Sequence, residues 1–327
     1  MGQITEPLAA AVREKWLTGL NQVKNVKTPG VAEWLKTGTY SWDFDAATSE
    51  YLLRIPRGDQ SLSTAFAAEI SRFSCAAFQS MLDAEVSARS LKSLAWPLVK
   101  DYYGAFYSGH AILRLTGRSI TYIPTDLIHT LNKTASMYFG VNPQMKPGQY
   151  HLIFEKSAEV IRIKNTGSNG GSHEDMWRTL VAEAVSLENS ILAKFGGGGV
   201  AGAAIVLLSK LRGELCFAGK HNGAWLSSVR NAINYRHDYG VWFPQAMKPN
   251  DASAIRSKIS GWSQSACGVD ALGTSKQHDL VRHVVVCNAM GGVLRALLQD
   301  LVNRAPVPTK CFVAAKPFRL LSDAKLP

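Results

Sequence analysis

Apolar side chains recur every three or four residues along much of this chain, and this spacing constrains the fold more than any other feature. Within residues 61–92, the positions that follow it are Phe66, Ile70, Phe73, Ala77 and Met81. Residues this far apart lie on one face of an α-helix. The same spacing occurs in residues 98–115, 177–195 and 281–302. The sequence therefore predicts a mainly α fold.

Short β-strands and glycine joints interrupt the helical pattern. Residues 151–155 and 160–164 alternate apolar and polar positions, which predicts a small β-hairpin. Residues 307–314 are interpreted as an edge strand between prolines. The glycine run at 196–199 lacks the Gly-Lys-Ser/Thr ending of a phosphate-binding loop, so it predicts a joint between two helices. Gly291, inside an apolar helix, predicts close helix packing.

A further helix is predicted around Arg230, and it carries polar residues of chemical interest. Its inward face is apolar, with Trp225, Leu226, Val229, Ala232 and Ile233. Seven helical steps of about 100° return to within roughly 20° of the start, so Arg230 and His237 would share one ridge. Asn234 lies between them. A guanidinium, an amide and an imidazole on one ridge could bind a phosphate and move a proton beside it.

The spacing of Arg230 and His237 needs support from a second segment, because about one such pair is expected by chance in a chain of this composition. Residues 101–115 read Asp-Tyr-Tyr-Gly-Ala-Phe-Tyr-Ser-Gly-His-Ala-Ile-Leu-Arg-Leu. Together the two segments resemble the HEPN family. An early HEPN helix often reads Tyr-Tyr-Ala-Ala-Phe. A late helix carries Arg, four to six residues and His, frequently with Arg-Asn at its start and His-Asp-Tyr at its end.

The resemblance implies a HEPN-like helical bundle over residues 91–244, with the small β-hairpin as an insertion. Residues 1–90 form a mostly helical N-terminal extension, and residues 245–327 form a basic helical C-terminal extension. Six residues between Arg230 and His237 is the long end of the family's range. The stretch between the two motifs is longer than a minimal domain needs, which indicates an insertion.

The resemblance also implies a chemistry, that of a metal-independent endoribonuclease in which the ribose 2′-hydroxyl attacks the adjacent phosphorus. His237 would act as acid or base, and Arg230 would offset charge on the phosphate oxygens. Asn231, Asn234 or Tyr239 would orient the histidine or donate to the phosphate. The supporting residues Asp238 and His110 complete the predicted site; Asp238 belongs to the His-Asp-Tyr match.

His110 has two interpretations, since it lies on the apolar stripe of its helix. It is either a satisfied core histidine or a residue that faces the site. His278 and His283 have a spacing that could suit a metal, but no third ligand is evident, and a solvated helix start is the preferred interpretation. The five cysteines form no ligand pattern. The sequence therefore predicts no metal and no cofactor.

The charge, the cysteines and the apolar content of the chain indicate which partners and which compartment to expect. The formal net charge of +11 is uneven, at zero for residues 1–95, +5 for 96–244 and +6 for 245–327. A basic excess favours a polyanion such as RNA, although many soluble proteins are equally basic without binding nucleic acid. The scattered, odd set of cysteines indicates reduced thiols in the cytoplasm. With no apolar run of 18 residues, no membrane association is predicted.

Three functions remain open from the sequence. The first is an endoribonuclease, plausibly a toxin or anti-phage defence effector that works with an antitoxin or a companion defence protein. Family members usually form their site across a homodimer, so a homodimer is expected. The second is a HEPN-like module that binds nucleotide or RNA without cleaving it. The third is an assembly scaffold.

Overall fold

The computed structural model describes residues 5–324 except 25, 27, 28, 38, 49, 168–170, 260, 261, 263–271 and 273–277. Its helices are α1 (Thr5–Glu14), α2 (Val31–Trp34), α3 (Ser61–Ser90), α4 (Ala95–Leu115), α5 (Thr125–Phe139), α6 (Gly171–Phe195), α7 (Gly199–Leu215), α8 (Trp225–Tyr235), α9 (Pro249–Ile259), α10 (Asp279–Asn303), α11 (Phe312–Ala315) and α12 (Pro317–Asp323). Its strands are β1 (Ser41–Asp45), β2 (Glu50–Arg54), β3 (Arg118–Ile123), β4 (Gly148–Glu155) and β5 (Val160–Asn165). The mainly α class predicted from the apolar spacing is confirmed.

The helices α3 and α4 form the centre of the bundle. A short connection joins them, so they pack side by side, as helices with short connections commonly do. Their cross-contacts show that they run antiparallel: Arg114 pairs with Glu69 near one end, and Lys100 donates to Ser87 near the other, at 2.9 Å. The single long helix predicted over residues 61–92 is confirmed as α3.

A third long helix, α10, packs against both α3 and α4. The fully buried Met81 of α3 lies between two glycines, Gly104 of α4 and Gly291 of α10. A Cβ atom at Gly104 would stand 2.6 Å from Met81 Cγ, and one at Gly291 would stand 2.5 Å from Met81 Sδ. The three backbones approach this closely only because neither glycine has a side chain. The predicted role of Gly291 in helix packing is confirmed.

The helices α6 and α7 form a hairpin beside this centre. A glycine of α4 again permits the approach, since a Cβ at Gly109 would stand 2.7 Å from the sulfur of Met176. Phe195 ends α6 and Gly199 begins α7. Gly196 and Gly199 have φ values of +74° and +55°, in the left-handed region that favours glycine. The glycine run is therefore a joint between helices, as predicted.

The sheet is antiparallel, with strand order β1-β2-β5-β4-β3. The predicted hairpin is confirmed as β4 and β5, in which Leu152 lies opposite Ile163. The sheet is larger than that hairpin, because β2 pairs with the outer edge of β5 and β3 pairs with β4. Fully buried Leu53, Leu152 and Ile161 turn one face of the sheet towards the core.

The edge strand predicted over residues 307–314 is wrong. Residues 308–310 form a turn of 3-10 helix, and α11 follows directly. Pro308 starts the 3-10 turn, where its missing N–H costs nothing, and the carbonyl of Cys311 accepts from the N–H of Ala315 at 3.0 Å. Local helical hydrogen bonds thus take the place of the strand pairing that an edge strand would make.

One continuous apolar core joins the three predicted segments. Helix α3, from the N-terminal segment, and α10, from the C-terminal segment, both pack on α4. Within the described residues, α10 is also a helix long and apolar enough to cross a bilayer, but 83% of its most apolar stretch is buried inside the protein. A core helix of a soluble fold has this same character.

A buried ion pair fixes α4 against α3. Arg114 Nε lies 2.5 Å from Glu69 Oε2, and both side chains are less than a tenth exposed. The second carboxylate oxygen of Glu69 accepts from the backbone N–H of Val31 at 2.8 Å, so the same carboxylate also holds the start of α2. Arg114 stacks on the ring of Phe73, with 4.3 Å from Cζ to the ring centroid.

The Met81 contact generates the first prediction. Gly104→Ala and Gly291→Ala should each lower the free energy of unfolding by about 1–3 kcal/mol, because the added methyl group meets a side chain clamped from both sides. Urea denaturation measures this. In the Met81→Ala background the added methyl groups should cost less, since the clamped side chain is gone. Additive losses in the double variants would contradict the proposed contact.

Candidate functional site

Helix α8 carries the arginine of the predicted site. Its apolar face is buried as predicted. Ala224 lies at its N-cap position, and Arg236 lies at its C-cap position. The helix is therefore two residues too short to include His237.

The predicted ridge that joins Arg230 to His237 on one helix is wrong. The indole N–H of Trp242 donates to the carbonyl of Ile233 at 2.8 Å, which satisfies an end carbonyl that further helix would otherwise bond. His237 and Tyr239 have φ values of +55° and +67°, so the chain turns back through left-handed conformations. The seven-residue spacing therefore does not bring the two side chains onto one face.

The other predicted residues at this end of α8 lie apart from one another. Asn231 is exposed and Asn234 is half-buried. Exposed Asp238 pairs with Arg236 at 3.1 Å. Tyr239 is half-buried, and its ring centroid lies 6.2 Å from that of His278. The structure does not gather these four side chains around Arg230.

Arg230 instead turns inward, onto the aromatic residues of α4. Its side chain is buried, with 8% of the residue exposed. Its Cζ lies 5.3 Å from the ring centroid of Tyr102, and 5.9 Å from those of Tyr103 and Tyr235. Nη1 is 3.5 Å from the Tyr235 hydroxyl. Three tyrosine rings thus surround one guanidinium, an arrangement that stabilises a cation by the negative faces of the rings.

This guanidinium lacks a carboxylate partner within the described residues. No ion pair joins it to an acidic side chain there, and its Nε is buried without a hydrogen-bond partner. Every other arginine that is buried to this extent, Arg114 and Arg282, pairs with a glutamate. A buried cation without a counter-ion is costly. An anion would offset this charge, and phosphate oxygens match guanidinium donors well.

The hydroxyl of Tyr102 joins this cation to a histidine. It lies 2.7 Å from Nδ1 of His173, in the first turn of α6, and 2.8 Å from the hydroxyl of Ser227 on α8. Trp177 donates to the same oxygen at 3.4 Å. Helices α4, α6 and α8 therefore meet at one phenol oxygen, beside Arg230. We call Arg230, Tyr102, Tyr103, Tyr235 and His173 the arginine–histidine cluster.

His173 is neutral at pH 7 in this setting. Burial and, after it, the charge of Arg230 lower its pKa from 6.5 to about 4. Its ring stacks on Phe106, with 4.1 Å between centroids. When its Nδ1 donates to Tyr102 and Tyr102 donates to Ser227, the lone pair of Nε2 is left free to accept a proton.

His110 lies behind the cluster, and its interpretation as a core histidine fits its surroundings. It is 6% exposed, its ring stacks on Phe73 at 4.8 Å, and its Nδ1 lies 3.1 Å from Arg114 Nη1. The ring of Phe106 packs against both His110 and His173. Burial, followed by the charge of Arg114, lowers the His110 pKa well below its ordinary value.

His237 lies towards the other end of α4. Its ring is 6.0 Å from Trp242, which packs edge-on against Trp96 at 5.6 Å. Trp96 precedes Tyr102 by six residues, or about 9 Å along the helix axis. Exposed His237 therefore stands apart from the arginine–histidine cluster of the same chain.

His173 is not among the site residues that the sequence predicts. It stands in the chain beside a glycine- and serine-rich segment and outside any recognisable motif. The cluster residues Tyr102 and Arg230 lie 71 residues earlier and 57 residues later in the chain. Only the docking of α6 against α4 and α8 brings the three together.

A cavity elsewhere on the surface is less suited to bind phosphate than the arginine–histidine cluster is. It has a volume of about 70 Å³ and lies between the end of β2 and the start of α3. Its charged lining residues are Asp59 and Glu159. Two carboxylates would repel a phosphate, so this cavity does not compete with the arginine–histidine cluster as a site for a polyanion.

Comparison of the chain with protein-family models, curated proteins and solved structures finds no match.

The cluster generates a prediction about titration. His173 should titrate near pH 4 in NMR spectra, because it is half-buried beside Arg230, packs against Tyr102 and Tyr103, and lies near His110. Arg230→Met should raise the His173 pKa, since the positive charge is gone, and leave it below 6.5 because the burial remains. Arg236→Met, at an exposed site, is the matched control and should leave it unchanged.

The lowered pKa of His173 also makes the stability of the fold depend on pH. The folded pKa lies below the unfolded value, so the folded state disfavours the proton. The contribution of neutral His173 to the free energy of unfolding is present above pH 6.5 and is lost as the pH falls towards 4. His173→Gln should therefore take up about one proton fewer on unfolding near pH 5 than the parent does. An unaltered His173 pKa in Arg230→Met would contradict the contact between the two groups.

Proposed function

We propose that this chain is a metal-independent endoribonuclease of HEPN type, in which Arg230 binds the phosphate that is cleaved. The observation that carries the proposal is the buried guanidinium of Arg230, which has no carboxylate partner in the described residues and stands beside a neutral histidine. The resemblance of residues 101–115 and 230–239 to HEPN helices supports the family, and the net charge of +11 suits an RNA partner.

The chemistry follows from the placement of the groups. His173 accepts the proton of the ribose 2′-hydroxyl as that oxygen bonds to phosphorus. The bond from phosphorus to the 5′-oxygen breaks, and the departing oxygen takes the proton, which leaves a 2′,3′-cyclic phosphate and a 5′-hydroxyl. Arg230 offsets the charge that builds on the phosphate oxygens. Within one protomer, the proton-transfer role thus moves from the predicted His237 to His173.

The aromatic rings give the cluster a second use in RNA binding. Tyr103 and Tyr107 are half-buried on one face of α4, and Tyr235 is 70% exposed. Unpaired bases stack on such rings, typically with about 1–3 kcal/mol per base. A single-stranded region of RNA is therefore the proposed substrate, since only there are the bases free to stack.

A non-catalytic RNA- or nucleotide-binding module is the second candidate. The position of His237, exposed and outside α8, favours it, because the family's histidine is then missing from the cluster. A homodimer would reconcile this position with catalysis if a second copy supplied His237 to the cluster. We keep the homodimer, the cytoplasmic location and the toxin or defence role with an antitoxin or companion protein as parts of the first proposal.

Cleavage assays distinguish these candidates. The parent should cut a pool of cellular RNA in EDTA and leave 2′,3′-cyclic phosphate ends. Arg230→Ala should slow cleavage by about 10²–10³-fold, and His173→Gln by about 10²–10⁴-fold. Arg236→Ala removes a neighbouring exposed arginine and should cleave like the parent. RNA binding without any cleavage by the parent would reject the endoribonuclease and favour the binding module.

A mixing experiment tests the origin of the histidine. If the site lies within one protomer, His237→Ala should retain activity, and a mixture of Arg230→Ala with His173→Gln should stay inactive. If a dimer shares the site, His237→Ala should be inactive alone, and mixing it with Arg230→Ala should restore part of the activity. Light scattering on the same samples measures the oligomeric state.

A further inference from the structure

Three side chains with metal-ligating atoms meet in the core between α4 and α10. They are Asp101 of α4 and His283 and Cys287 of α10, and their ligating atoms all lie within 4.8 Å of one another. At most 1% of each residue is exposed. His283 was interpreted as part of a solvated helix start, and that interpretation is wrong, because α10 begins earlier and His283 faces α4.

The hydrogen bonds of this cluster are incomplete. Oδ2 of Asp101 and Nδ1 of His283 are buried and have no hydrogen-bond partner among the described residues. A buried carboxylate oxygen without a partner is costly, so Oδ2 of Asp101 indicates a missing component. An ion bound through Nε2 of His283 would supply that partner, whereas Nδ1 lies on the other side of the ring and would keep its proton. Neither the arginine–histidine cluster nor the proposed cleavage of RNA uses these three residues.

The two distances measured from Nε2 of His283 are close to those between ligands of a tetrahedral zinc ion, and the ligating atoms of all three side chains lie within 4.8 Å of one another. Cys287 Sγ lies 3.7 Å from His283 Nε2, and this nitrogen lies 3.4 Å from the carbonyl oxygen of Leu98. Bonds of about 2.3 Å to sulfur and 2.0–2.1 Å to nitrogen or oxygen place tetrahedral ligands roughly 3.4–3.6 Å apart. The i, i+4 spacing of His283 and Cys287 puts both on one face of α10.

Charge also favours a divalent cation. A thiolate and a carboxylate together offset the two charges of Zn²⁺, so the occupied site is neutral and suits an apolar core. Binding releases the thiol proton of Cys287 and the carboxyl proton of Asp101, while neutral His283 keeps its remaining ring proton. The imidazole, thiolate and carboxylate together are a common zinc donor set, whereas Mg²⁺ and Ca²⁺ prefer oxygen ligands alone.

We propose that Asp101, His283 and Cys287 bind a structural Zn²⁺ ion that ties α10 to α4, with the Leu98 carbonyl facing the fourth position. This is separate from the proposed RNA chemistry, which does not route through the metal. The ion lies beneath the arginine–histidine cluster, because Asp101 precedes Tyr102 and the ring of Tyr102 stacks 6.5 Å from that of His283.

Metal content of the full chain tests the site directly. The protein is unfolded with a chelator, refolded with Zn²⁺ and desalted, and zinc is measured by elemental analysis. We expect about one Zn²⁺ per chain in the parent and near zero in Cys287→Ser and Asp101→Asn. Cys311→Ser is the matched control, since Cys311 is equally buried but lies outside the cluster, and it should keep its zinc. A parent chain without zinc, or zinc retained in both site variants, overturns the proposal.

A second measurement does not require the site variants to fold. A chain in which Cys75, Cys216, Cys267 and Cys311 are all serine retains Cys287 alone. Refolded with Co²⁺, it should show the thiolate-to-cobalt charge-transfer absorption and the visible bands of a tetrahedral site, like the parent. Loss of these bands would assign the metal to another cysteine and overturn the proposal. Neither test measures RNA cleavage, so a negative result for the zinc site would not bear on the proposed nuclease, and a negative result for the nuclease would not bear on the zinc site.

Discussion

The burial of α4 is the constraint on which the rest of this structure depends. Helices α3, α6, α8 and α10 all pack against it, so nearly every side chain along it is enclosed. Close approach requires small residues, and Gly104 and Gly109 lie where neighbouring methionines would meet a Cβ. A polar side chain on such a helix must find its partner on another element, because water does not reach it. The polar residues of α4 therefore determine which helices meet, and where.

Two neighbouring residues show this most clearly. Asp101 and Tyr102 follow each other on α4, so their side chains point about 100° apart. Tyr102 meets α6 and α8 through His173 and Ser227, whereas Asp101 meets α10 through Cys287 and His283. The proposed phosphate site and the proposed zinc site thus lie side by side on one helix. The ion pair of Arg114 with Glu69 secures α4 against α3 farther along.

Sequence periodicity predicted the long helices well, because each has an apolar face that must be buried whatever its neighbours are. It failed where local hydrogen bonds or distant contacts decided the outcome. The end of α8 is the clearest example: Trp242 donates to Ile233, and the chain leaves the helix before His237. Strand β1 was missed for a related reason. β1 carries two aspartates, which are poor strand formers, and it forms because β2 offers it an edge.

By itself, the sequence determined the helical class, the apolar faces, and the hairpin of β4 and β5. These features depend on local spacing, which the chain carries in its order of residues. Only the tertiary structure decided which histidine stands beside Arg230, and that Asp101, His283 and Cys287 meet. Those contacts join residues 57 to 186 positions apart, and such pairs are set by how whole helices pack rather than by any pattern along the chain.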